Sequence, residues 1–126
     1  MRKISVLLVD DLSFMRSAMR SIITGGGMEV AGEAENGLEA VKLYRLRKPD
    51  VVLMDITMPV MNGISALDRI MKIDPGARVI MCSALGQNKY IIKSIQLGAK
   101  DFVVKPFTPE RIISSISKVM GTDEKG

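Results

Sequence analysis

The sequence contains no histidine and no tryptophan, and only one cysteine among its 126 residues. One cysteine excludes an internal disulfide framework, and without histidine a zinc or redox role for Cys82 has little support. No run approaches the roughly 18 apolar residues that a membrane-spanning helix needs. The first apolar run is interrupted by Asp10 and Asp11 too early for a signal peptide. We therefore expect a cytoplasmic protein in which Cys82 packs at the end of a strand.

Aromatic residues are also scarce, at 4% of the chain, while the net charge is +4. A nucleic-acid-binding surface needs clustered positive charge and usually aromatic rings on which bases can stack. Here the basic residues are scattered, with one modest group at Lys42, Arg45, Arg47 and Lys48. The composition favours an ordinary solvated surface, and we expect neither nucleic acid nor membrane as a partner.

The apolar content is ample, at 47% hydrophobic residues beside 25% charged residues. A chain of this length can bury about two-thirds of its unfolded surface in one core. We predict a single domain over residues 1–121 and a frayed C-terminal tail over residues 122–126.

Apolar, strand-like runs alternate five times with helical stretches. The predicted strands are residues 4–10, 28–34, 50–55, 77–82 and 100–104. Helix signals follow them, such as Asn36 with Glu39 as a capping pair and Thr108 before Pro109 as an N-cap. Strands that are apolar on both faces and alternate with helices indicate an α/β fold. We predict one doubly wound, five-stranded parallel sheet of order 2-1-3-4-5, which is flavodoxin-like.

Charged and polar residues follow the predicted strands where each strand ends. Asp10 and Asp11 follow the first strand, Asp55 ends the third, Ser83 follows the fourth and Lys105 follows the fifth. Ligands of open α/β sheets bind at the carboxyl ends of the strands, where the strand order reverses. Three clustered carboxylates repel one another and so favour a bound cation, and Mg²⁺ prefers such oxygen ligands.

Each of these signals has an ordinary alternative. Asp10 and Asp11 could cap the first helix, Asp55 could be a loop acid before a proline, and Lys105 could be a solvated lysine in a turn. Ser83 alone says little. All of them fall at carboxyl ends of strands, which favours one assembled site.

Four blocks together resemble the receiver domain of bacterial response regulators: Val-Asp-Asp at 9–11, Met-Asp-Ile-Thr-Met-Pro-Val-Met-Asn-Gly at 54–63, Cys-Ser-Ala at 82–84 and Phe-Val-Val-Lys-Pro-Phe at 102–107. The likeness covers essentially the whole chain. Within that family it is closest to the stand-alone chemotaxis regulators of the CheY type.

The resemblance implies a role for each site residue. Asp55 would accept a phosphoryl group from a histidine kinase of the chemotaxis type. Asp10, Asp11, Asp55 and the backbone carbonyl of Thr57 would hold Mg²⁺, and Lys105 would pair with a phosphoryl oxygen. The choice of Asp55 as phosphoacceptor comes from the family, since spacing alone leaves it open.

The resemblance also implies a switch. The hydroxyl of Ser83 would move toward the phosphoryl group, and Phe102 would turn inward, which alters the face made by the fourth helix, fifth strand and fifth helix. Relatives often carry threonine and tyrosine at these two positions. Thr57 and Leu85 occupy positions that tune hydrolysis, and because Leu85 cannot orient water we predict slow self-dephosphorylation. The Lys105–Pro106 bond is expected to be cis.

The expected output partner is a flagellar motor switch protein, and a dephosphorylating protein is a possible further partner. We expect the chain itself to be a monomer. No independent substrate turnover is expected. A phosphorelay intermediate is the alternative within signalling. A haloacid-dehalogenase-type phosphohydrolase would need an acid at Thr57, and a flavodoxin would not begin its phosphate loop with Asp10 and Asp11.

Overall fold

The computed structural model describes residues 2–84 and 86–121. Leu85 and the predicted tail over residues 122–126 lie outside the described residues. The elements are β1 (Ser5–Val9), α1 (Ser13–Gly25), β2 (Glu29–Ala34), α2 (Gly37–Arg47), β3 (Val51–Asp55), α3 (Gly63–Ile73), β4 (Val79–Ser83), α4 (Asn88–Leu97), β5 (Asp101–Val104) and α5 (Pro109–Met120). None of the described helices is long and apolar enough to cross a membrane.

The five strands form one sheet in the order β2-β1-β3-β4-β5, and every neighbouring pair is parallel. The predicted fold class and strand order are therefore confirmed. Strand order reverses between β1 and β3, so the carboxyl ends of these two strands flank the crevice where such sheets bind ligands.

Two hydrophobic layers cover the two faces of the sheet. One joins inward residues of the strands to α2, α3 and the end of α4, and the other joins them to α1 and α5. β3 and β4 are buried along their whole length, which explains why their sequences are apolar without alternation. Cys82 is buried in β4, and burial raises the pKa of its thiol to about 12.

The helix signals hold where they were predicted. Asn36 accepts a hydrogen bond from the backbone N–H of Glu39, and Thr108 accepts one from Arg111 with Pro109 as the first helical residue. Leu12 begins the helically spaced apolar residues of the first helix in the sequence, but in the structure it is the N-cap residue of α1 and is 45% exposed.

The fourth strand is displaced from its predicted bounds by two residues at its start and one at its end. Ala77 donates a hydrogen bond to the carbonyl of Asp74, so residues 77–78 still belong to the turn after α3. Ser83 is the last residue of β4 and pairs with Val104 of β5. The hydroxyl-bearing residue is thus held by the sheet itself.

Candidate functional site

Three carboxylates meet at the carboxyl ends of β1 and β3. Asp10, Asp11 and Asp55 each place a carboxylate oxygen within 4.8 Å of the others. Asp10 is fully buried, whereas Asp11 is exposed. This is the cluster predicted from the strand ends, and its exposed member faces solvent from which a cation could enter.

Lys105 reaches into this cluster from the end of β5. Its Nζ lies 2.8 Å from Oδ2 of Asp10 and 3.1 Å from Oδ1 of Asp55. The lysine side chain is only 17% exposed, so it is not the solvated turn lysine of the alternative interpretation. The peptide bond between Lys105 and Pro106 is cis, as predicted.

The cluster has more acidic than basic groups. Burial, with the nearby charges of Asp10 and Asp11, raises the pKa of the Asp55 carboxyl even though Lys105 acts in the opposite direction. Burial lowers the pKa of Lys105, but the hydrogen bond to Asp10 and the charge of Asp55 outweigh it and the net shift is upward. One ammonium group therefore faces three carboxylates and leaves excess negative charge at the site.

Asp10 does not cap α1. Its Oδ1 accepts a hydrogen bond from the N–H of Leu12 at 3.0 Å, and its Oδ2 is taken by Lys105. The N-cap position of α1 carries no side-chain hydrogen bond. The capping interpretation of Asp10 is therefore wrong, because the carboxylate points back toward the sheet rather than along the helix.

Ser83, the last residue of β4, carries a hydroxyl that makes no hydrogen bond to the described residues. Its Oγ is buried and has no hydrogen-bond partner among residues 2–84 and 86–121. Its backbone carbonyl accepts a hydrogen bond of 2.7 Å from the N–H of Lys105. An unpaired buried hydroxyl costs free energy, which is unusual unless a ligand or another conformation satisfies it.

The loop after Asp55 is closely packed against the strand that precedes it. Asn62 caps α3 by accepting a hydrogen bond from Ser65, and Gly63 donates one of 2.7 Å to the carbonyl of Ile56. Val60 adopts φ of 68°, a left-handed conformation that is rare for a β-branched residue. This loop holds the end of β3, and with it Asp55, against α3.

Two residues at the site were missed by the sequence patterns. Arg16 of α1 donates a 2.7 Å hydrogen bond to the carbonyl of Asp10 and pairs with Glu33 of β2. Gln87 links the loops that follow β3 and β4 through its side-chain amide. The position of Arg16, six residues after Asp10 on the adjoining helix, could have suggested its contact; no local signal marks Gln87.

Comparison with known proteins identifies the family of this site. The sequence model of the response regulator receiver domain matches residues 6–117, which is most of the chain. The chain belongs to the response regulator receiver family. Within this receiver domain, the four blocks that carried the resemblance lie at the carboxyl ends of β1, β3, β4 and β5.

Similar proteins of this receiver family include chemotaxis regulators. The chain is 59% identical to the chemotaxis protein CheY of Thermotoga maritima over 114 residues, covering 90% of this chain and 95% of the relative. It is 52% identical to CheY of Bacillus subtilis over 115 residues, covering 91% and 96%. Among solved structures, the CheX–CheY–BeF3–Mg²⁺ complex from Borrelia burgdorferi matches with a TM-score of 0.90 and 38% identity, covering 94% and 90% of the two chains.

The surface of the receiver domain beyond β5 carries the predicted switch residue. Phe102 is half-buried against the hydrophobic layer under α3 and α4. Its carbonyl accepts a 2.8 Å hydrogen bond from Arg111 of α5. Nearby, α4 exposes Tyr90 and Ile92, which are 42% and 60% exposed. Phe102 therefore lies on the strand that leads to Lys105 and packs against this hydrophobic layer.

The acidic cluster fits a divalent cation. Carboxylate oxygens at this spacing match the ligands that Mg²⁺ prefers, and Asp11 leaves one side of the cluster open to water. Burial, with smaller contributions from the charges of Asp10 and Asp11, raises the pKa of Asp55, and a bound cation would favour its ionised form. Thr57 is exposed two residues beyond Asp55.

Proposed function

We propose that this receiver domain, taken as residues 1–121, accepts a phosphoryl group on Asp55 from a histidine kinase of the chemotaxis type. The observation that carries the proposal is the pairing of Lys105 with both Asp10 and Asp55 inside a cluster of three carboxylates. A carboxylate is a weak nucleophile, but phosphoryl transfer depends mainly on alignment and charge stabilisation. In this proposal Lys105 would stabilise an oxygen of the phosphoryl group on Asp55, which its contact with the Asp55 carboxylate supports.

Mg²⁺ would be held by Asp10, Asp11 and Asp55, with the carbonyl of Thr57 as a further ligand. When bound, it supplies the positive charge that the phosphoryl oxygens and the crowded acids require. The buried Asp10 is oriented by Leu12 and Lys105, so its carboxylate needs little rearrangement to act as a ligand.

The unpaired hydroxyl of Ser83 supports the switch. A phosphoryl group on Asp55 would offer new acceptor oxygens for the Ser83 O–H, which has none among the described residues. Movement at Ser83 would free space into which Phe102 could turn. We propose that this alters the face made by α4, β5 and α5, where an output partner binds.

The output partner is proposed to be a flagellar motor switch protein, by likeness to chemotaxis relatives. The exposed apolar residues of α4 suit a protein partner. A dephosphorylating partner is also proposed, because the matched Borrelia structure holds CheY together with CheX. Thr57 and Leu85 would tune hydrolysis, and slow self-dephosphorylation remains a prediction because Leu85 lies outside the described residues.

Acetyl phosphate with Mg²⁺ tests the site. Intact-mass measurement should show one added phosphoryl group on the wild-type chain and none on Asp55→Asn. Asp68→Asn, at a partly exposed helix position, is the matched control and should be modified like the wild type. Equal modification of Asp55→Asn and wild type would exclude Asp55 as the acceptor.

A second experiment tests the partner. The immobilised domain, with and without beryllofluoride and Mg²⁺, is incubated with a purified motor switch protein. Retention only with the mimic supports the chemotaxis role. Transfer of a radiolabelled phosphoryl group to a histidine protein, with no such retention, would instead indicate a phosphorelay intermediate.

A further inference from the structure

We propose that the side chain of Gln87 is a latch that holds the loop after β4 in its unphosphorylated arrangement, and so limits how readily the site accepts a phosphoryl group. This proposal rests on the proposed phosphorylation of Asp55. Gln87 would act through its neighbours as a positioning residue, without contacting the phosphoryl group itself.

The geometry joins two loops at the site. Gln87 immediately precedes α4 and is half-buried. Its Oε1 accepts a hydrogen bond of 2.6 Å from the backbone N–H of Ala84, and its Nε2 donates one of 3.1 Å to Oγ1 of Thr57. Ala84 directly follows Ser83, and Thr57 lies two residues after Asp55. One side chain therefore connects the switch segment to the phosphoacceptor segment.

The orientation of the Gln87 amide is determined by its partners. The backbone N–H of Ala84 can only donate, so it requires the oxygen of the side chain. The nitrogen is then left to donate to the Thr57 hydroxyl oxygen. To make both bonds, residue 87 needs an uncharged side chain of this length that carries both a hydrogen-bond donor and an acceptor. Leucine has a similar shape but can make neither bond.

The latch acts on the segment that the switch must move. The carbonyl of Ser83 accepts a 2.7 Å hydrogen bond from the N–H of Lys105, directly after β5. The next residue, Ala84, is held instead through its N–H by Gln87. Meanwhile the Ser83 hydroxyl stays buried and unpaired among the described residues. In the proposed latch, turning this hydroxyl toward Asp55 also moves the adjoining Ala84 N–H away from Gln87, which breaks the Gln87 bonds.

Removing the latch should shift the population toward the switched arrangement. A ligand that prefers that arrangement gains apparent affinity when the competing arrangement is weakened. Two hydrogen bonds of ordinary net strength correspond to a change of about fivefold to 150-fold. The expected sign is tighter binding of the phosphoryl mimic.

The test is calorimetric titration of beryllofluoride in saturating Mg²⁺ with Gln87→Leu. Because Gln87→Leu removes both hydrogen bonds, we expect binding at least about fivefold tighter than in the wild type. Gln96→Leu, the same change at an exposed position of α4, is the matched control and should bind like the wild type. Thr57→Val removes the other end of the latch and should also tighten binding. The two changes combined should give less than the product of their separate effects.

Amide hydrogen exchange separates a latch from a general structural role. In the unphosphorylated protein, the N–H of Ala84 should exchange faster in Gln87→Leu but not in Gln96→Leu. Unchanged or weaker mimic binding in Gln87→Leu would overturn the latch. If that variant does not fold, Thr57→Val carries the same test, and unchanged or weaker binding there overturns the latch equally. Asp55→Asn should abolish mimic binding; if it does not, the proposed function of Asp55 fails, whatever the result at Gln87.

Discussion

The close approach of α3 to the phosphoacceptor strand makes Gly63→Ala the most informative perturbation of the site. A Cβ atom at Gly63 would collide with the carbonyl oxygen of Asp55 and would lie 3.0 Å from its carbonyl carbon and 3.1 Å from Cα of Ile56. All of these atoms are backbone, so no side-chain rotation can relieve the overlap. The start of α3 must move away from the end of β3.

The magnitude follows from the contacts. The overlap with the carbonyl oxygen of Asp55 is the largest of the three, so relieving it requires the helix start to shift by at least about 1 Å. Overpacking of this kind costs about 1–3 kcal/mol, and weakening the 2.7 Å hydrogen bond from Gly63 to Ile56 adds about 1 kcal/mol. Alanine loses less conformational entropy on folding than glycine does, which offsets about 0.5–1 kcal/mol of this cost. We expect a net loss of about 2–3 kcal/mol.

The same shift should also impair the site. Displacement of reacting groups by about 1 Å can lower a reaction rate by about a hundredfold. Asp55 lies at the strand end that the shift displaces, so we expect its phosphorylation rate to fall. Urea unfolding and the rate of phosphorylation by acetyl phosphate are the two measurements. Gly25→Ala, at the end of α1 with nothing within 4 Å of the added Cβ, is the control and should not lose stability. The reasoning is refuted if Gly63→Ala stays within about 0.5 kcal/mol of the wild type.

Three further predictions concern the stability of the described structure. Asp55→Asn should raise the free energy of unfolding at pH 7, because burial and the charge of Asp10 raise the pKa of Asp55 and so make its ionised form costly in the folded state. The advantage should shrink as the pH falls through that pKa, and a less stable variant at pH 7 in urea unfolding would contradict it. Asp101→Asn should cost about 1 kcal/mol at pH 7 in urea unfolding, since the neutral amide accepts the 2.7 Å hydrogen bond from Ser115 more weakly than the buried carboxylate does. Burial alone would raise the pKa of Asp101, but the hydrogen bond from Ser115 and other interactions lower it overall. The loss of stability should therefore disappear as the pH falls below about 4, where Asp101 becomes protonated in the folded protein too. A loss that persists in acid would show that the charge of Asp101 is not its cause. Val60→Gly should raise the melting temperature by relieving the φ of 68°, with a gain of about 0.5–1 kcal/mol; a lower melting temperature would show that Val60 is not strained.

Much of this fold was predictable because its signals are local. The alternation of apolar runs with capped helices identified all five βα units, and the caps at Asn36 and Thr108 formed as expected. The start of β4 was misplaced because Ala77 is apolar in sequence yet belongs to a turn held by Asp74. Hydrophobicity alone does not separate a strand from an apolar turn residue beside it.

The amino-acid sequence by itself determined the α/β class and the residues gathered at one edge of the sheet, since parallel strands bring their carboxyl ends to the same side. Only the tertiary structure decided how those residues pair. It showed that Lys105 contacts both Asp10 and Asp55, that the Ser83 hydroxyl is unpaired within the described chain, and that Gln87 joins two loops. These contacts link residues far apart in the chain, and their geometry depends on the packing of several elements at once. No local pattern encodes the distance or direction of a hydrogen bond between separate loops.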